Sequence, residues 1–259
     1  MSVGIVTAMA QRSIRAVARR VARRQLDVVA EGIEHVPPSG PVLIASRHVH
    51  HLFDGVALLE VIRRPLHMLV ALDWARGRGE RALMEWATGA ARWPALLRTD
   101  ALSPGPDGRP LNGGSAFHAD EVLRYHLRAL RDAARLLLEG AALVVFPEGY
   151  PNVDPRWTPK RSFEELMPFR AGFASLVAQA RRRHRLEVPI VPVGLAYQPG
   201  ARWSVTLRCG RPMHMGGAPP EAMARAVEAR VAALSGSTPA AAGSPPRRDG
   251  RQRLRWSTS

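Results

Sequence analysis

Residues 41–54, PVLIASRHVHHLFD, and residues 142–149, ALVVFPEG, decide the fold of this chain. Each stretch begins with a short apolar run of the kind that forms a buried β-strand, and polar residues follow each run at once. In α/β folds the ends of such strands carry the reactive side chains. The two stretches therefore predict two strands whose ends carry functional groups.

Around these stretches, apolar strand-like runs alternate with amphipathic helical segments. Further strands are predicted at residues 26–36, 65–72, 93–97, 188–193 and 205–207, helices at 54–63, 81–90, 119–140 and 169–183, and Gly- and Pro-rich loops at 100–115 and 150–161. This alternation is typical of an α/β protein, and 259 residues suffice to cover both faces of a sheet. We predict a single domain with a mixed, largely parallel sheet flanked by helices.

The start of the chain predicts a basic amphipathic helix that precedes this domain. Ile14, Val17 and Val21 recur at helical spacing among the arginines of residues 11–24. Such a helix can lie on an anionic membrane surface or pack on its own domain, and the sequence leaves both possibilities open.

The end of the chain has a different composition. Ser, Pro, Gly and Arg dominate residues 235–259, which predicts a flexible basic tail because so little apolar surface can be buried there. The predicted division is an N-terminal helical segment at 1–27, an α/β domain at 28–234 and the tail at 235–259.

The charge of the chain favours anionic partners. The 37 Lys and Arg residues exceed the 22 Asp and Glu residues, for a formal net charge of +15. Phospholipid headgroups, phosphorylated cofactors and nucleic acid all satisfy this charge. Nucleic acid is disfavoured, because no recognised binding motif is present and only 6% of the residues are aromatic.

Cysteine content and hydropathy narrow the class of protein further. The single cysteine, Cys209, excludes an internal disulfide and thiol-based metal sites, and it fits a reducing compartment. No apolar run approaches the roughly 18 to 20 residues that span a bilayer. We therefore expect neither a cleaved signal nor a transmembrane helix.

The first motif contains three histidines before Asp54. A histidine next to a carboxylate is the usual group for deprotonating a hydroxyl. His50 lies one helical turn before Asp54, whereas His48 lies at the strand end and reaches Asp54 only across the turn. The residues alone leave the base open between these two histidines.

Two other interpretations of this cluster exist. The histidines at a strand end can cap a helix or bind water. Alternatively His48, His50, His51 and Asp54 can serve as metal ligands of a hydrolase, although no second His and carboxylate cluster follows in the sequence.

The second motif and Arg98 are candidate substrate-binding residues. Gly149 permits a tight turn that lets a ligand approach the backbone, and Glu148 beside it can hold a hydroxyl. Arg98 follows another apolar run and can bind a phosphate. The alternatives are a loop salt bridge for Glu148 and a solvated charge for Arg98.

Taken in order, four motifs of the chain resemble the glycerophospholipid acyltransferases, in particular the 1-acyl-sn-glycerol-3-phosphate (lysophosphatidate) acyltransferase group. In that family an Asn-His to Asp block, an apolar strand ending in Arg, a Phe-Pro-Glu-Gly block and a Pro-containing strand follow one another. The corresponding residues here are 47–54, 93–98, 146–149 and 188–193. The third block is the most specific of the four, and the resemblance covers residues 28–215.

The first departure from the family concerns the base. The family usually has four residues between His and Asp, which would put the histidine at Val49. A shift of one residue is needed to use His48 or His50. The neighbours Ser46 and Arg47 favour His48.

The second departure concerns the acceptor. The family commonly continues the third block with Thr-Arg-Ser, whereas Tyr-Pro-Asn follows here at residues 150–152. The arginine expected to meet the acceptor phosphate is therefore missing. Arg156, Lys160 or Arg161 in the following loop is the hypothesised replacement.

The resemblance implies transfer of a fatty acyl group from acyl-CoA or acyl carrier protein to a lysophospholipid or glycerol phosphate, a step of phospholipid biosynthesis. It implies a histidine as general base, Asp54 orienting it, and Arg98, Glu148 and Gly149 positioning the acceptor. No metal and no resident cofactor is implied, since the thioester is a co-substrate. The basic surface would hold a cytoplasmic enzyme on the inner face of the cell membrane.

Overall fold

The structure, a computed structural model, describes residues 3–103, 114–155 and 157–236. Its helices are α1 Val3–Gln25, α2 Phe53–Val61, α3 Arg78–Ala91, α4 Thr99–Leu102, α5 Val122–Leu138, α6 Gly172–His184 and α7 Pro220–Ser235. Its strands are β1 Leu26–Glu31, β2 Val42–Ser46, β3 Leu66–Met68, β4 Val70–Ala71, β5 Ala95–Leu96, β6 Ala142–Val145, β7 Ile190–Gln198 and β8 Trp203–Cys209. Short 3-10 turns at Ile33–His35 and Ala119–Glu121 complete these elements.

A six-stranded sheet in the order β1-β8-β7-β2-β6-β3 forms the centre of the molecule. Every neighbouring pair is parallel except β7 and β8, which are antiparallel. The predicted α/β domain with a mixed, largely parallel sheet is therefore confirmed. Strands β4 and β5 form a separate parallel pair.

Alternate residues of the central strands enter two separate cores. Val42 and Ile44 belong to the core shared with α1 and α2, whereas Leu43, Ala45 and Leu143 belong to the core shared with α5, α6 and α7. Because helices cover both faces, these strands are continuously apolar instead of alternating with polar residues. This is why β2 and β6 were recognisable from short apolar runs.

The N-terminal helix packs on the α/β domain. Ala18 and Ala22 are buried in the core, and the Arg15 guanidinium donates hydrogen bonds of 2.6 to 2.8 Å to three carbonyls at the end of α2 and just beyond it. Of the predicted apolar stripe, Ile14 packs against the core while Val17 is 63% exposed. Packing on its own domain thus accounts for much of the amphipathic pattern.

Several predicted boundaries are wrong. The strand predicted at residues 26–36 ends at Glu31, because Gly32 adopts a φ of 68° and approaches β8 so closely that a β-carbon would lie 2.3 Å from the Cys209 carbonyl oxygen. The loop predicted at 100–115 begins with a helical turn in which Ala101 and Leu102 are buried.

Other sequence predictions fall partly outside the described residues. This holds for residues 104–113 of the first predicted loop and for residues 237–259 of the predicted tail. Helix α7 was not predicted at all, since its alanine-rich sequence has a weak apolar pattern.

Candidate active site

The candidate site lies where β2 and β6 end side by side. Ala45 pairs with Val145 in the parallel register, so His48 and Glu148 both stand three residues beyond paired positions. The backbone N–H of His48 donates a hydrogen bond of 2.7 Å to Glu148 Oε1. The two motifs that are a hundred residues apart in sequence therefore meet through strand register.

His48 and Asp54 form a histidine–carboxylate pair. Nδ1 of His48 lies 2.7 Å from Asp54 Oδ2, and Asp54 is buried in the first turn of α2. The His48 ring stacks on Phe146 with centroids 4.3 Å apart. This geometry holds the proton on Nδ1 and leaves Nε2 as the acceptor nitrogen.

Asp54 is held in place by further donors. The backbone N–H of Val49 lies 2.7 Å from Oδ2, and the backbone N–H of His50 lies 3.1 Å from each carboxylate oxygen. The hydroxyl of Tyr197 on β7 donates to Oδ1 at 2.7 Å. Burial, followed by the adjacent carboxylate, raises the pKa of Tyr197 well above its usual value, so this hydroxyl remains a donor.

The additional residue between His48 and Asp54 lies in an extended segment. Val153 donates its backbone N–H to the Val49 carbonyl at 2.7 Å, and its own carbonyl accepts the His51 N–H at 3.1 Å. The loop after Gly149 thus pairs with the segment between the two site residues. This pairing accommodates the five residues between His48 and Asp54, one more than the four of the family pattern.

His50 performs a different task from His48. Its Nδ1 accepts hydrogen bonds of 3.2 Å from the backbone N–H groups of Leu52 and Phe53 at the start of α2. The expected one-turn contact between the His50 ring and Asp54 is wrong, since only the backbone N–H of His50 reaches that carboxylate. The interpretation of a helix-capping histidine describes His50 well.

The buried His50 predicts a pH dependence of stability. Burial lowers its pKa to about 4, so between pH 6.5 and 4 the unfolded chain binds a proton that the folded protein does not. The contribution of neutral His50 to the free energy of unfolding is fully present above pH 6.5. It is lost as the pH falls, and by pH 5 the loss is about 2 kcal/mol. His50→Asn, which retains a capping acceptor but does not titrate, is expected to flatten the profile of melting temperature against pH. His184→Asn, at an exposed position at the end of α6, should keep the wild-type slope; equal slopes in both variants and wild type would contradict this assignment.

Glu148 is a buried clamp on the backbone of His48. Its Oε1 accepts the His48 N–H, and its Oε2 accepts from the Lys160 ammonium at 2.5 Å and from the Met167 N–H at 2.9 Å. The side chains of Glu148 and Lys160 are both 0% exposed. The structure therefore corrects the expectation that Glu148 faces a substrate hydroxyl, because protein donors occupy both of its oxygens.

Lys160 completes the clamp from the other side of the same residue. Its ammonium donates to the His48 carbonyl at 2.8 Å and to Asn152 Oδ1 at 3.0 Å, in addition to Glu148. Burial lowers its pKa, although Glu148 opposes this shift. Both peptide groups that flank the His48 α-carbon are thus held by one buried ion pair.

Arg98 is buried and paired, not a solvated charge. Its guanidinium forms a bidentate contact with Asp73, with Nη2 to Oδ2 at 2.7 Å, and it stacks over the Tyr150 ring at 4.3 Å. Burial opposes the charged form of Arg98, but Asp73 more than offsets this, so its pKa is raised. Nη1 donates to the Gly149 carbonyl at 3.3 Å, which makes Arg98 a support of the Gly149 turn.

The tight turn predicted at Gly149 is present. Gly149 has a φ of 79°, and its N–H donates to the Phe146 carbonyl at 3.0 Å. The guanidinium of Arg170 lies over this turn, 3.7 Å from the position that a β-carbon of Gly149 would take. Arg170 is 58% exposed and contacts Asp100 at 3.2 Å.

The hypothesised replacements for the missing arginine are in different environments. Lys160 is excluded from contact with a substrate phosphate by its burial against Glu148. Arg161 is exposed, and Arg156 lies outside the described residues. Arg170 was not among the hypothesised replacements, which were all taken from the loop that follows the third motif.

The three histidine rings turn to different partners. His48 binds Asp54, His50 faces the start of α2, and Nδ1 of His51 lies 3.3 Å from the Val153 carbonyl. In the described parts of the chain, no three His, Cys, Asp or Glu side chains are arranged to hold a metal ion. This geometry does not match the ligand set of a metal-dependent hydrolase.

Fold and site together define an α/β protein with a histidine–carboxylate pair at the carboxyl edge of its parallel strands. A family model described as Acyltransferase matches residues 27–196. No curated protein gives a significant match to the chain. The crystal structure of PlsC, the 1-acyl-sn-glycerophosphate (LPA) acyltransferase of Thermotoga maritima, superposes with a TM-score of 0.55 at 19% identity, covering 85% of this chain and 76% of that one.

The family model covers well over half of the 259 residues, and the chain belongs to the acyltransferase family. This confirms the family resemblance of the four motifs. The likeness to PlsC extends the agreement to the fold.

Proposed function

We propose that this acyltransferase moves a fatty acyl group from acyl-CoA or acyl carrier protein to the hydroxyl of a lysophospholipid or glycerol-phosphate acceptor. The observation that carries the proposal is the His48–Asp54 pair, 2.7 Å apart, at the end of β2. Within the described residues, Nε2 of His48 has no hydrogen-bond partner, and the side chain is 16% exposed. That nitrogen is thus available to a substrate hydroxyl.

In the proposed reaction His48 is the general base. Its Nε2 takes the hydroxyl proton as the hydroxyl oxygen attacks the thioester carbonyl, and Asp54 stabilises the imidazolium that forms. The tetrahedral intermediate collapses with loss of the thiolate, which takes up the proton that the His48 imidazolium gives back, and the ester is released. No acyl-enzyme forms in this sequence of steps.

Arg170 is the proposed contact for the acceptor phosphate. It is exposed beside the Gly149 turn, where the third family block ends, and its pair with Asp100 lies at the surface, whereas Arg98 is buried in its pair with Asp73. Arg170 therefore takes the role of the missing arginine, and Arg98 positions the turn.

Arg170→Ala is expected to raise the KM for lysophosphatidate by about tenfold, because a charge-assisted hydrogen bond to phosphate is lost. The KM for the acyl donor should stay within a factor of about two. Arg161→Ala, an exposed arginine on the preceding loop, is the matched control. Steady-state kinetics with each substrate varied in turn measure both constants. If the KM for lysophosphatidate rose in the Arg161 variant alone, Arg161 and not Arg170 would be the phosphate contact.

The proposed location is the cytoplasmic face of the cell membrane, where lipid substrates lie. The formal charge of +15 and the exposed arginines of α1 support adsorption to anionic lipid. In the ranges that the structure covers, no helix has the length and hydropathy of a membrane span.

The test is thiol release from acyl-CoA or acyl carrier protein in the presence of lysophosphatidate or glycerol 3-phosphate. Release that requires both the donor and the acceptor, together with an esterified product, is the expected result. Absence of transfer across a series of donors and lysolipids would reduce the family relationship to a common fold.

A further inference from the structure

The outer face of α5 carries a ridge of leucines exposed to solvent. Leu123, Leu127, Leu130 and Leu138 are 68%, 51%, 52% and 46% exposed. The first three follow one another at spacings of four and three residues, so they lie on one face of the helix. Exposed apolar side chains in such a row indicate a binding surface more often than isolated ones do.

A row of arginines lies beside this leucine ridge. Each of Arg124, Arg128 and Arg131 directly follows one of the leucines, and Arg135 continues the row one turn later. At about 100° per residue, each arginine stands next to the ridge on the same side. All four are exposed.

Three of these arginines make exposed polar contacts with other residues of α5 or with the turn before it. Arg124 pairs with Glu121 at 2.6 Å, Arg128 lies 3.7 Å from Asp132, and Nε of Arg131 donates to the Leu127 carbonyl. Exposed pairs of this kind contribute little to stability. The arginines can therefore exchange these partners for anionic groups of a ligand.

The leucine ridge is not needed for packing of the helix. The opposite face of α5 supplies Tyr125, Ala129, Ala133, Leu136 and Leu137, all of them buried. The helix thus has one apolar face for the core and a second apolar ridge without a partner in the described structure.

We propose that this second face of α5 docks on an anionic lipid bilayer, with the leucines among the acyl chains and the arginines at the phosphates. The biological reason rests on the proposed function, since the substrates of such an enzyme reside in the bilayer. A ridge of leucines flanked by cations matches the pattern of helices that lie in the membrane interface. A second copy of the chain is a poorer occupant, because a symmetric contact between two α5 helices brings like-charged arginine rows together.

This surface differs from the one expected from the sequence. Ile14 and Val21 of α1 pack against the protein's own core. On α5 the leucines and the arginines are exposed together along four turns. The proposal makes α5 the principal lipid contact, although Ile5, Met9 and Val17 of α1 are exposed as well.

Vesicle flotation of the full chain tests the proposal. The probes are vesicles of phosphatidylglycerol with phosphatidylethanolamine, and neutral vesicles of phosphatidylcholine. Leu127→Ser combined with Leu130→Ser is expected to lower binding to the anionic vesicles by at least about tenfold. Arg128→Gln combined with Arg131→Gln should lower binding to the anionic vesicles but not to the neutral ones. The remaining binding to anionic vesicles should depend less on salt concentration.

The matched control is a double variant of two exposed apolar residues of α1, Met9→Ser with Val17→Ser, which should change binding by less than about twofold. Far-ultraviolet circular dichroism and melting temperature establish that each variant is folded. Unchanged binding of the leucine variant, or loss of binding confined to the α1 variant, would overturn the proposal.

Two further readouts separate the alternatives. Analytical ultracentrifugation that finds a wild-type dimer and a monomeric leucine variant, with equal vesicle binding, would assign the ridge to self-association and overturn the bilayer proposal. Flotation does not depend on acyl transfer. If the wild-type protein showed no transfer activity and the leucine variant still lost vesicle binding, the proposed function would be refuted and the docking surface would be supported.

Discussion

His48→Gln is expected to slow acyl transfer by about a thousandfold, because the group that accepts the hydroxyl proton is removed. Its Nδ1 is the ring atom bound to Asp54, at 2.7 Å, and its Nε2 is free to meet a substrate. The fold should survive, since Asp54 keeps its hydrogen bonds from Tyr197, Val49 and His50. Rates of thiol release at saturating donor and acceptor measure the effect, with melting temperature as the check on folding.

The neighbouring histidines provide the contrast for this prediction. His51→Gln, at an exposed position whose ring stacks on His50 and lies 3.3 Å from the Val153 carbonyl, should keep wild-type rates. His50→Asn retains the helix cap and should also keep most of the activity at pH 7.5. If the His50 variant were folded and inactive while His48→Gln retained activity, the base would be His50 and the mechanism above would be wrong.

Lys160→Met is expected to destabilise the protein by about 3 to 5 kcal/mol, because it leaves the carboxylate of Glu148 buried without its counterion. Against a total stability of about 5 to 15 kcal/mol, this is a large loss. It should appear as a fall in melting temperature of about 10 °C. The next residue, Arg161, is exposed, so Arg161→Met is a control of similar chemistry that should leave the melting temperature unchanged.

A double-mutant cycle separates loss of the pair from loss of a single charge. Glu148→Gln leaves the Lys160 ammonium without its buried partner, whereas the double variant removes both charges at once. The double variant is expected to cost less than the sum of the two single variants by about 2 kcal/mol or more. Strict additivity would show that the 2.5 Å contact contributes no coupling.

The same variants test the role of the pair in catalysis. Glu148 and Lys160 hold the N–H and the carbonyl of His48, so loosening either should lower kcat while the KM of both substrates changes little. Lys160→Arg, which retains a cation, should recover more activity than Lys160→Met. A selective rise in acceptor KM in the Glu148 variant would instead support direct contact between this carboxylate and the acceptor.

Much of the fold follows from local sequence. The apolar runs of β2 and β6 have no polar interruption because helices cover both faces of the sheet, and such runs are readily recognised. Boundaries were less accurate where a distant contact decides them. Gly32, for example, ends β1 because it approaches the Cys209 carbonyl, and no property of residues 26–36 reveals that neighbour.

The sequence predicted most residues of the candidate site, but it did not predict every role that these residues have. His48, Asp54, Glu148 and Gly149 do come together at the ends of β2 and β6, as the motifs indicated. Tyr197 was missed as a site residue, and Lys160 was predicted as a contact for the acceptor phosphate instead of as the partner of Glu148. Tyr197 lies far from the motifs in sequence, and Lys160 is one of several cations in the loop after Gly149, so no local pattern reveals their contacts with Asp54 and Glu148.

The sequence by itself determined the family, the α/β class and the set of polar residues at the strand ends, because these depend on local composition and on the order of motifs. Tertiary structure alone decided which histidine ring meets Asp54 and whether Glu148 faces substrate or protein. It also decided that Arg98 is paired with Asp73. The physical reason is that a side chain's partner depends on register and loop path, and these bring together residues as far apart as Asp54 and Tyr197, 143 positions along the chain.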